Sequence, residues 1–373
     1  MSGLASLHEG KRLVVLVGPG GVGKTTLAAA LAADAAAQGR SVALLTIDPA
    51  RRLAGALGLD RLGDALAPVP DAPGLEAAML DTRASFDALV GRIARSEVER
   101  ARILENRLYE AFSRTLARPH AYVAMERLHE LLATSEDDRL VVLDTPPTRS
   151  ALDILDAPGR LARFLDTKVA DALVSRALED GVRGWAQRSG RALVRALLGR
   201  VLGETLVDDL ADFFEVFFHL RHGFAGRAAA IQAHLRAPST AFVLVTAPDP
   251  SHLGDASALA EGLRARGVPL DALLSNRVHR IEVGGAAAPR AVAGASEPER
   301  WTDEERATLA AARAYRTRIA AEDARRREAA GTFAATHGIR RHLAFPWRTE
   351  APTDVRALRA LARAAVTAPG KEM

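Results

Sequence analysis

The stretch "LVVLVGPGGVGKTTLAAAL", residues 13–31, joins an apolar run, a glycine-rich turn and an alanine-rich run. This order is typical of a buried strand, a tight turn and a helix. Residues 18–25 within it match the pattern G-x-x-x-x-G-K-[ST]. When a helix starts a few residues after a strand ends, loop N–H groups and the positive end of the helix dipole face the same point. The stretch therefore predicts an anion-binding loop at the end of a strand.

The residue types in this loop suit a triphosphate. Glycines allow unusual backbone angles and close approach to the ligand. Lys24 is expected to reach the β- and γ-phosphates, and the Thr25 hydroxyl is expected to bind Mg²⁺. The bare pattern is weak evidence, but here it lies in the strand–loop–helix context that the motif requires. We therefore predict that a nucleoside triphosphate binds through Gly18, Gly20, Gly21, Val22, Gly23, Lys24, Thr25 and Thr26.

The composition excludes several other kinds of site. The chain has 373 residues, of which 48% are hydrophobic and 26% charged, as in a folded globular protein. It contains no cysteine, which excludes disulfides, thiolate catalysis and sulfur-bound metals. No signal segment and no uncharged apolar stretch of about 18–20 residues is visible, so we expect a cytoplasmic protein. The arginines are spread along the chain, which disfavours nucleic acid or a membrane as partner.

Apolar runs bounded by turn residues predict strands at residues 12–17, 41–47, 75–80, 139–144, 241–246, 271–276 and 340–345. Alanine-rich helical stretches between them indicate βαβ units. The predicted fold is a single α/β P-loop domain with a mostly parallel sheet flanked by helices and an inserted helical subdomain. We assign the sheet core to residues 10–83, 138–159, 238–282 and 338–366, the helical subdomain to 84–135 and 160–236, and a long helical arm, opened by a Thr302/Glu305 capping box, to 300–335.

Two carboxylates follow predicted strands. Asp144 closes the run 139–144, a position at which P-loop enzymes hold Mg²⁺ directly or through water. Asp48 follows the run 41–47 and has two interpretations. It orients the attacking water, acting as a catalytic residue with Lys24, or it caps a helix that Pro49 begins.

Recognition of the base is assigned to a later strand end. Asn276 ends the run 271–276, and its amide can hydrogen-bond a purine edge. The guanine-reading pattern N-K-x-D is absent, because Arg277 and His279 occupy its second and fourth positions. ATP is therefore favoured over GTP.

Three ordered motifs, "GPGGVGKTT", "TIDPARRLAGALGL" and "VVLDTPPTRSALDIL", make the chain similar to the arsenite-pump and tail-anchored-protein-targeting ATPases. "NRV" and "FPW" lie where that family has its adenine-contacting asparagine and a proline-containing loop, so the resemblance implies that Asn276 and Pro346 bind the nucleotide. It also implies a nucleotide-sandwich dimer with a first switch at Asp48. A second switch follows Asp144, and it transmits loss of the γ-phosphate through Pro146, Pro147 and Thr148 to the helical subdomain.

The sequence departs from this family at several positions. No cysteine is present to bind a metalloid or to clamp a dimer with zinc, so neither is expected. Arg149 and Ser150 replace the family's Gly-His after the second switch. Pro19 stands where the family has a second lysine, which reaches the partner's nucleotide.

The proline has two interpretations. In the first, the chain lacks a cation that stabilises the charge developing during phosphoryl transfer. It would then receive this cation only in a heterodimer with a paralogue that carries the lysine. Alternatively Pro19 is an ordinary loop residue, and Arg51, Arg52 or Arg149 supplies the charge.

Phenylalanines recur at helical spacing within residues 193–224, which predicts either core packing or a groove for a client helix. The favoured function is a Mg²⁺-dependent ATPase switch that works as a homodimer or heterodimer and acts on a protein partner. One alternative is a low-turnover nucleotide-binding regulatory subunit. A second is a partitioning-type ATPase, which the absence of a basic cluster disfavours.

Overall fold

The computed structural model describes residues 3–47, 52–80, 96–104, 119–134, 139–147, 152–153, 155–156, 227, 229–278 and 301–367. The strands within these residues are β1 (Leu13–Val17), β2 (Val42–Thr46), β3 (Ala67–Pro68), β4 (Leu75–Met79), β5 (Leu140–Asp144), β6 (Thr240–Thr246), β7 (Ala272–Val278), β8 (Arg341–Pro346) and β9 (Val366–Thr367). They form one nine-stranded sheet in the order β3-β4-β2-β5-β1-β6-β7-β8-β9.

The sheet is parallel except at its edges. The pairs from β4 through β8 are parallel, whereas β3 pairs with β4 and β9 with β8 in antiparallel fashion. The predicted fold class, a mostly parallel sheet flanked by helices, is confirmed. Each predicted apolar run overlaps a strand to within two residues at either end, because a strand covered on both faces needs continuous apolar sequence. The edge strands β3 and β9 were not predicted, since each is two residues long and lacks an apolar run.

The described helices are α1 (Ala5–His8), α2 (Lys24–Ala37), α3 (Arg52–Leu57), α4 (Glu97–Leu104), α5 (Pro119–Thr134), α6 (Pro250–Arg264), α7 (Asp303–Thr336) and α8 (Val355–Arg363). One apolar cluster joins one face of the sheet to α1, α2, α3 and α8. A second joins the opposite face to α5, α6 and the end of α7. The domain thus has three layers, and α2 is buried on nearly all sides because its many alanines fit between the sheet and neighbouring helices.

Helix α7 is 34 residues long, and it begins three residues after the start and ends one residue after the end of the stretch 300–335 predicted as a helical arm. The capping box predicted from its sequence is confirmed, since the Thr302 hydroxyl accepts from the Glu305 N–H and the Glu305 carboxylate accepts from the Thr302 N–H. Buried positions occur only from Ala320 onward, so residues 303–319 are largely exposed.

Much of the predicted helical subdomain lies outside the described residues. Of 84–135 and 160–236, the structure describes residues 96–104, 119–134, 227 and 229–236. The phenylalanine stretch 193–224 is not among them, so its two interpretations stay predictions. Within the described part of the chain, none of the helices combines the length and apolar character that crossing a membrane requires.

A buried histidine on β8 contacts the neighbouring strand β7. His342 is 7% exposed, and its Nε2 lies 2.7 Å from the Ser275 hydroxyl oxygen. Burial lowers the pKa of His342 to about 4, because a charged imidazolium would lose its hydration there.

We expect this histidine to make the fold acid-sensitive. Above pH 6.5 it is neutral in both the folded and the unfolded chain. Between pH 6.5 and 4 only the unfolded chain binds the proton, so the free energy of unfolding falls by an amount on the order of 3 kcal/mol. Urea unfolding of the wild type and His342→Leu across this range measures the effect. The free energy of unfolding of the variant should depend less on pH than that of the wild type. If both lose stability in parallel as the pH falls, His342 is not the cause.

Candidate functional site

The phosphate-loop residues lie at the centre of the sheet. Strand β1 is flanked by β5 and β6, and the chain leaves its carboxyl end through residues 18–23 into α2. Ligands of open α/β sheets bind outside the carboxyl ends of central strands. The fold therefore places the predicted loop where a nucleotide site is expected.

Two positions in this loop require glycine. Gly18 has φ +153°, and a Cβ there would lie 2.0 Å from the carbonyl oxygen of Val245 in β6. Gly23 has φ +94°, and a Cβ there would lie 2.4 Å from Nδ2 of Asn276 in β7. Backbone conformation and close contact thus both exclude a side chain, and the loop lies directly against the ends of its neighbouring strands.

Lys24 is 7% exposed and lies at the start of α2. Its ammonium group donates to the carbonyl oxygens of Gly18, at 3.0 Å, and Pro19, at 2.8 Å. The cation therefore lies against its own loop, beside the N–H groups at the start of the helix. These donors form a positive set that suits a phosphate group.

Thr25 and Asp144, predicted from separate motifs, meet in the structure. The Thr25 hydroxyl donates to Oδ2 of Asp144 at 2.7 Å, and the Thr46 hydroxyl at the end of β2 donates to the same oxygen at 2.8 Å. Asp144 is fully buried. Its neighbour Thr145 donates its hydroxyl to the carbonyl oxygen of Leu16 in β1 at 2.6 Å. Three central strands thus hold one carboxylate beside the loop.

The hydroxyl of Thr25 and the carboxylate of Asp144 fit a Mg²⁺ ion, which prefers oxygen ligands. Among the described residues, no three histidine, aspartate or glutamate side chains form a metal-binding group. Such a sparse set is typical of magnesium bound through one or two protein oxygens, waters and nucleotide phosphates. Thr46 was missed from the sequence, because only the pairing of β2 with β5 brings it to Asp144.

Asn276 has a structural contact that the sequence did not predict. Its Nδ2 donates to the carbonyl oxygen of Val22 in the phosphate loop at 2.8 Å, and its Oδ1 accepts from the N–H of Arg277. Pro346 ends β8 and pairs with Val278 of β7, so it lies at the same edge of the sheet. Contact of Asn276 and Pro346 with a base stays a prediction.

The remaining predicted residues divide into two groups. Asp48, Arg51, Thr148, Arg149 and Ser150 lie outside the described residues. Pro19 is buried in the loop, Arg52 is exposed at the start of α3, and Pro147 approaches the loop closely enough that a Cβ at Gly20 would lie 3.6 Å from it.

The part of the chain that carries this site is similar in sequence to known proteins. Residues 11–184 match the family model described as an anion-transporting ATPase. The chain is 31% identical over 163 residues to the arsenical pump-driving ATPase of Escherichia coli, covering 43% of this chain and 25% of that protein. It is 36% identical over 155 residues to an uncharacterized protein of Streptomyces coelicolor, covering 41% and 39%. An arsenical pump-driving ATPase of Acidiphilium multivorum is 31% identical over 161 residues, covering 42% and 25%.

The fold is that of a P-loop nucleoside triphosphatase. Its residues 11–184, which include Lys24, Thr25 and Asp144, are similar to the anion-transporting ATPases. The matches span between a quarter and two fifths of the lengths of these relatives. They support the resemblance seen in the motifs.

The glycine geometry can be tested without nucleotide. Gly23→Ala is expected to destabilise the chain by roughly 1–3 kcal/mol, because alanine resists a positive φ and its Cβ would meet Asn276. Gly20→Ala is the matched control in the same loop, since its Cβ would make only ordinary contact with Pro147. Urea unfolding measures both variants, and equal stabilities would contradict the described loop.

Proposed function

We propose that this chain is a Mg²⁺-dependent ATPase of the arsenite-pump and tail-anchored-targeting type. The observation that carries the proposal is the 2.7 Å hydrogen bond between Thr25 and Asp144, beside the buried ammonium group of Lys24. The two magnesium-binding oxygens and the phosphate-binding ammonium group thus lie at one edge of the sheet. The match of residues 11–184 supports the same activity.

Each residue has a distinct role in this proposal. The loop N–H groups and Lys24 bind the phosphates and compensate the charge that develops on them. Thr25 and Asp144 hold Mg²⁺, which supplies further positive charge to the phosphate oxygens when bound. Asp48 orients the attacking water, and Asn276 with Pro346 contacts the adenine.

The proposed physiological role is that of a nucleotide switch that acts on a protein partner. The chain works as a homodimer or with a paralogous ATPase, in the cytoplasm, and its helical subdomain responds to the nucleotide. Two of the relatives named above are called arsenical pump-driving ATPases, but this chain has no cysteine to bind a metalloid. The proposal therefore excludes metalloid transport and zinc-held dimers.

Steady-state ATP turnover by the purified chain with Mg²⁺ tests this function. Turnover should exceed that of Lys24→Ala, which removes the phosphate-binding cation. Asp144→Asn should also lower turnover by tenfold or more, with partial recovery at high Mg²⁺, because it weakens the metal site. Absence of ATP binding at millimolar nucleotide would refute the proposal. Tight binding with turnover equal to the Lys24→Ala blank would instead identify a regulatory subunit.

Pro19 defines a second test. If the position faces a partner's nucleotide, Pro19→Lys supplies a missing cation, and turnover should rise at least tenfold at protein concentrations that favour dimers. Pro19→Ala is the matched control, because it removes the ring without adding charge. The gain should be absent at concentrations that leave the chain monomeric. Equal turnover of the two variants would contradict a missing cation at position 19 and favour the interpretation in which an arginine of this chain supplies the charge.

A further inference from the structure

The chain beyond β5 returns to contact α6. Arg266, just past the end of α6, forms a two-pronged ion pair with Asp156, with Nε to Oδ1 at 2.7 Å and Nη2 to Oδ2 at 2.8 Å. Two parallel hydrogen bonds between guanidinium and carboxylate fix orientation as well as distance. The pair therefore attaches the segment that follows Asp144 to a helix of another βα unit.

The attachment has an apolar part as well. A Cβ on Gly262 of α6 would lie 2.8 Å from Cδ1 of Leu152, so the helix has a notch into which Leu152 fits. The third guanidinium nitrogen of Arg266, Nη1, donates to the carbonyl oxygen of Gly262 at 2.8 Å. Leu152 and Leu155 also pack against the apolar cluster on this face of the sheet. The guanidinium of Arg266 thus binds both Gly262, beside which Leu152 packs, and the carboxylate of Asp156.

Helix α6 connects this attachment to the phosphate loop. Its N-cap, Asp249, follows the end of β6 by three residues, and Val245 of β6 lies against Gly18. The helix has 15 residues and is about 22 Å long. Strand β5 fixes the other end of the segment, through the contacts of Asp144 with Thr25 and of Thr145 with Leu16. Thr145 and Asp156 are therefore each held by contacts to other parts of the sheet domain.

We propose that Arg266 is a positioning residue for nucleotide hydrolysis, which holds residues 152, 153, 155 and 156 on α6 through Asp156. On the two sides of the undescribed residues 148–151, Thr145 is restrained by Leu16 and Asp156 by Arg266. A displacement caused by the nucleotide at Asp144 is then transmitted to α6. This role rests on the proposed ATPase function. In it, Arg266 takes part in the response to the nucleotide although it does not contact the nucleotide.

Arg266→Gln tests the proposal in the full chain. We expect kcat to fall about tenfold while the KM for ATP changes less than twofold, because the variant leaves the phosphate loop intact. Asp156→Arg combined with Arg266→Glu restores the opposite charges and should recover part of kcat. Arg139→Gln is the matched control, since Arg139 pairs with Glu76 at the other end of β5. It should affect stability without changing kcat.

Amide hydrogen exchange of the nucleotide-free chain gives a readout that does not depend on activity. Arg266→Gln should accelerate exchange in residues 152–156, and Arg139→Gln should not. Faster exchange with unchanged kcat would overturn the positioning role. Unchanged exchange would overturn the attachment itself. If no variant, the wild type included, hydrolyses ATP, the ATPase proposal fails, and the exchange data still decide on the attachment.

Discussion

The hydrogen bond from Thr25 to Asp144 is the contact on which the site depends. It joins the first turn of α2 to the end of β5, and Thr46 adds the end of β2 to the same carboxylate oxygen. The parallel register sets this meeting point, because Thr46 and Leu16 both pair with Asp144. A slip of one residue would turn the carboxylate to the opposite face of the sheet. The layered packing of helices on both faces holds the register, so the core and the site are stabilised by the same alignment.

Local sequence predicted the parts of the fold that depend on local interactions. Apolar runs located the central strands, and the capping box of α7 was visible because Thr302 and Glu305 are three residues apart. Along the exposed part of α7, stability comes from such neighbours and from pairs such as Asp303 with Arg306. The short edge strands β3 and β9 were missed, since their pairing comes from the adjacent strand and not from their own residues.

In the site, the sequence predicted the loop, Lys24, Thr25 and Asp144, because a phosphate-binding turn constrains residue types within a few positions. It did not predict the contacts between distant segments. Thr46 is 98 residues from Asp144, Asn276 is 254 from Val22, and Arg266 is 110 from Asp156. Each of these pairs exists only because the strand order places separate βα units side by side.

The contact between Asn276 and Val22 has a consequence for any attempt to redesign base preference. The residue expected to read the base also supports the loop expected to bind the phosphates, and its Nδ2 occupies the space beside Gly23. A longer side chain at position 276 would press on the backbone of that loop, and a shorter one would leave the Val22 carbonyl without this donor. Under the proposed function, selectivity for the nucleobase and affinity for the triphosphate are therefore expected to be coupled, and a new specificity would have to be introduced together with compensating changes in the turn.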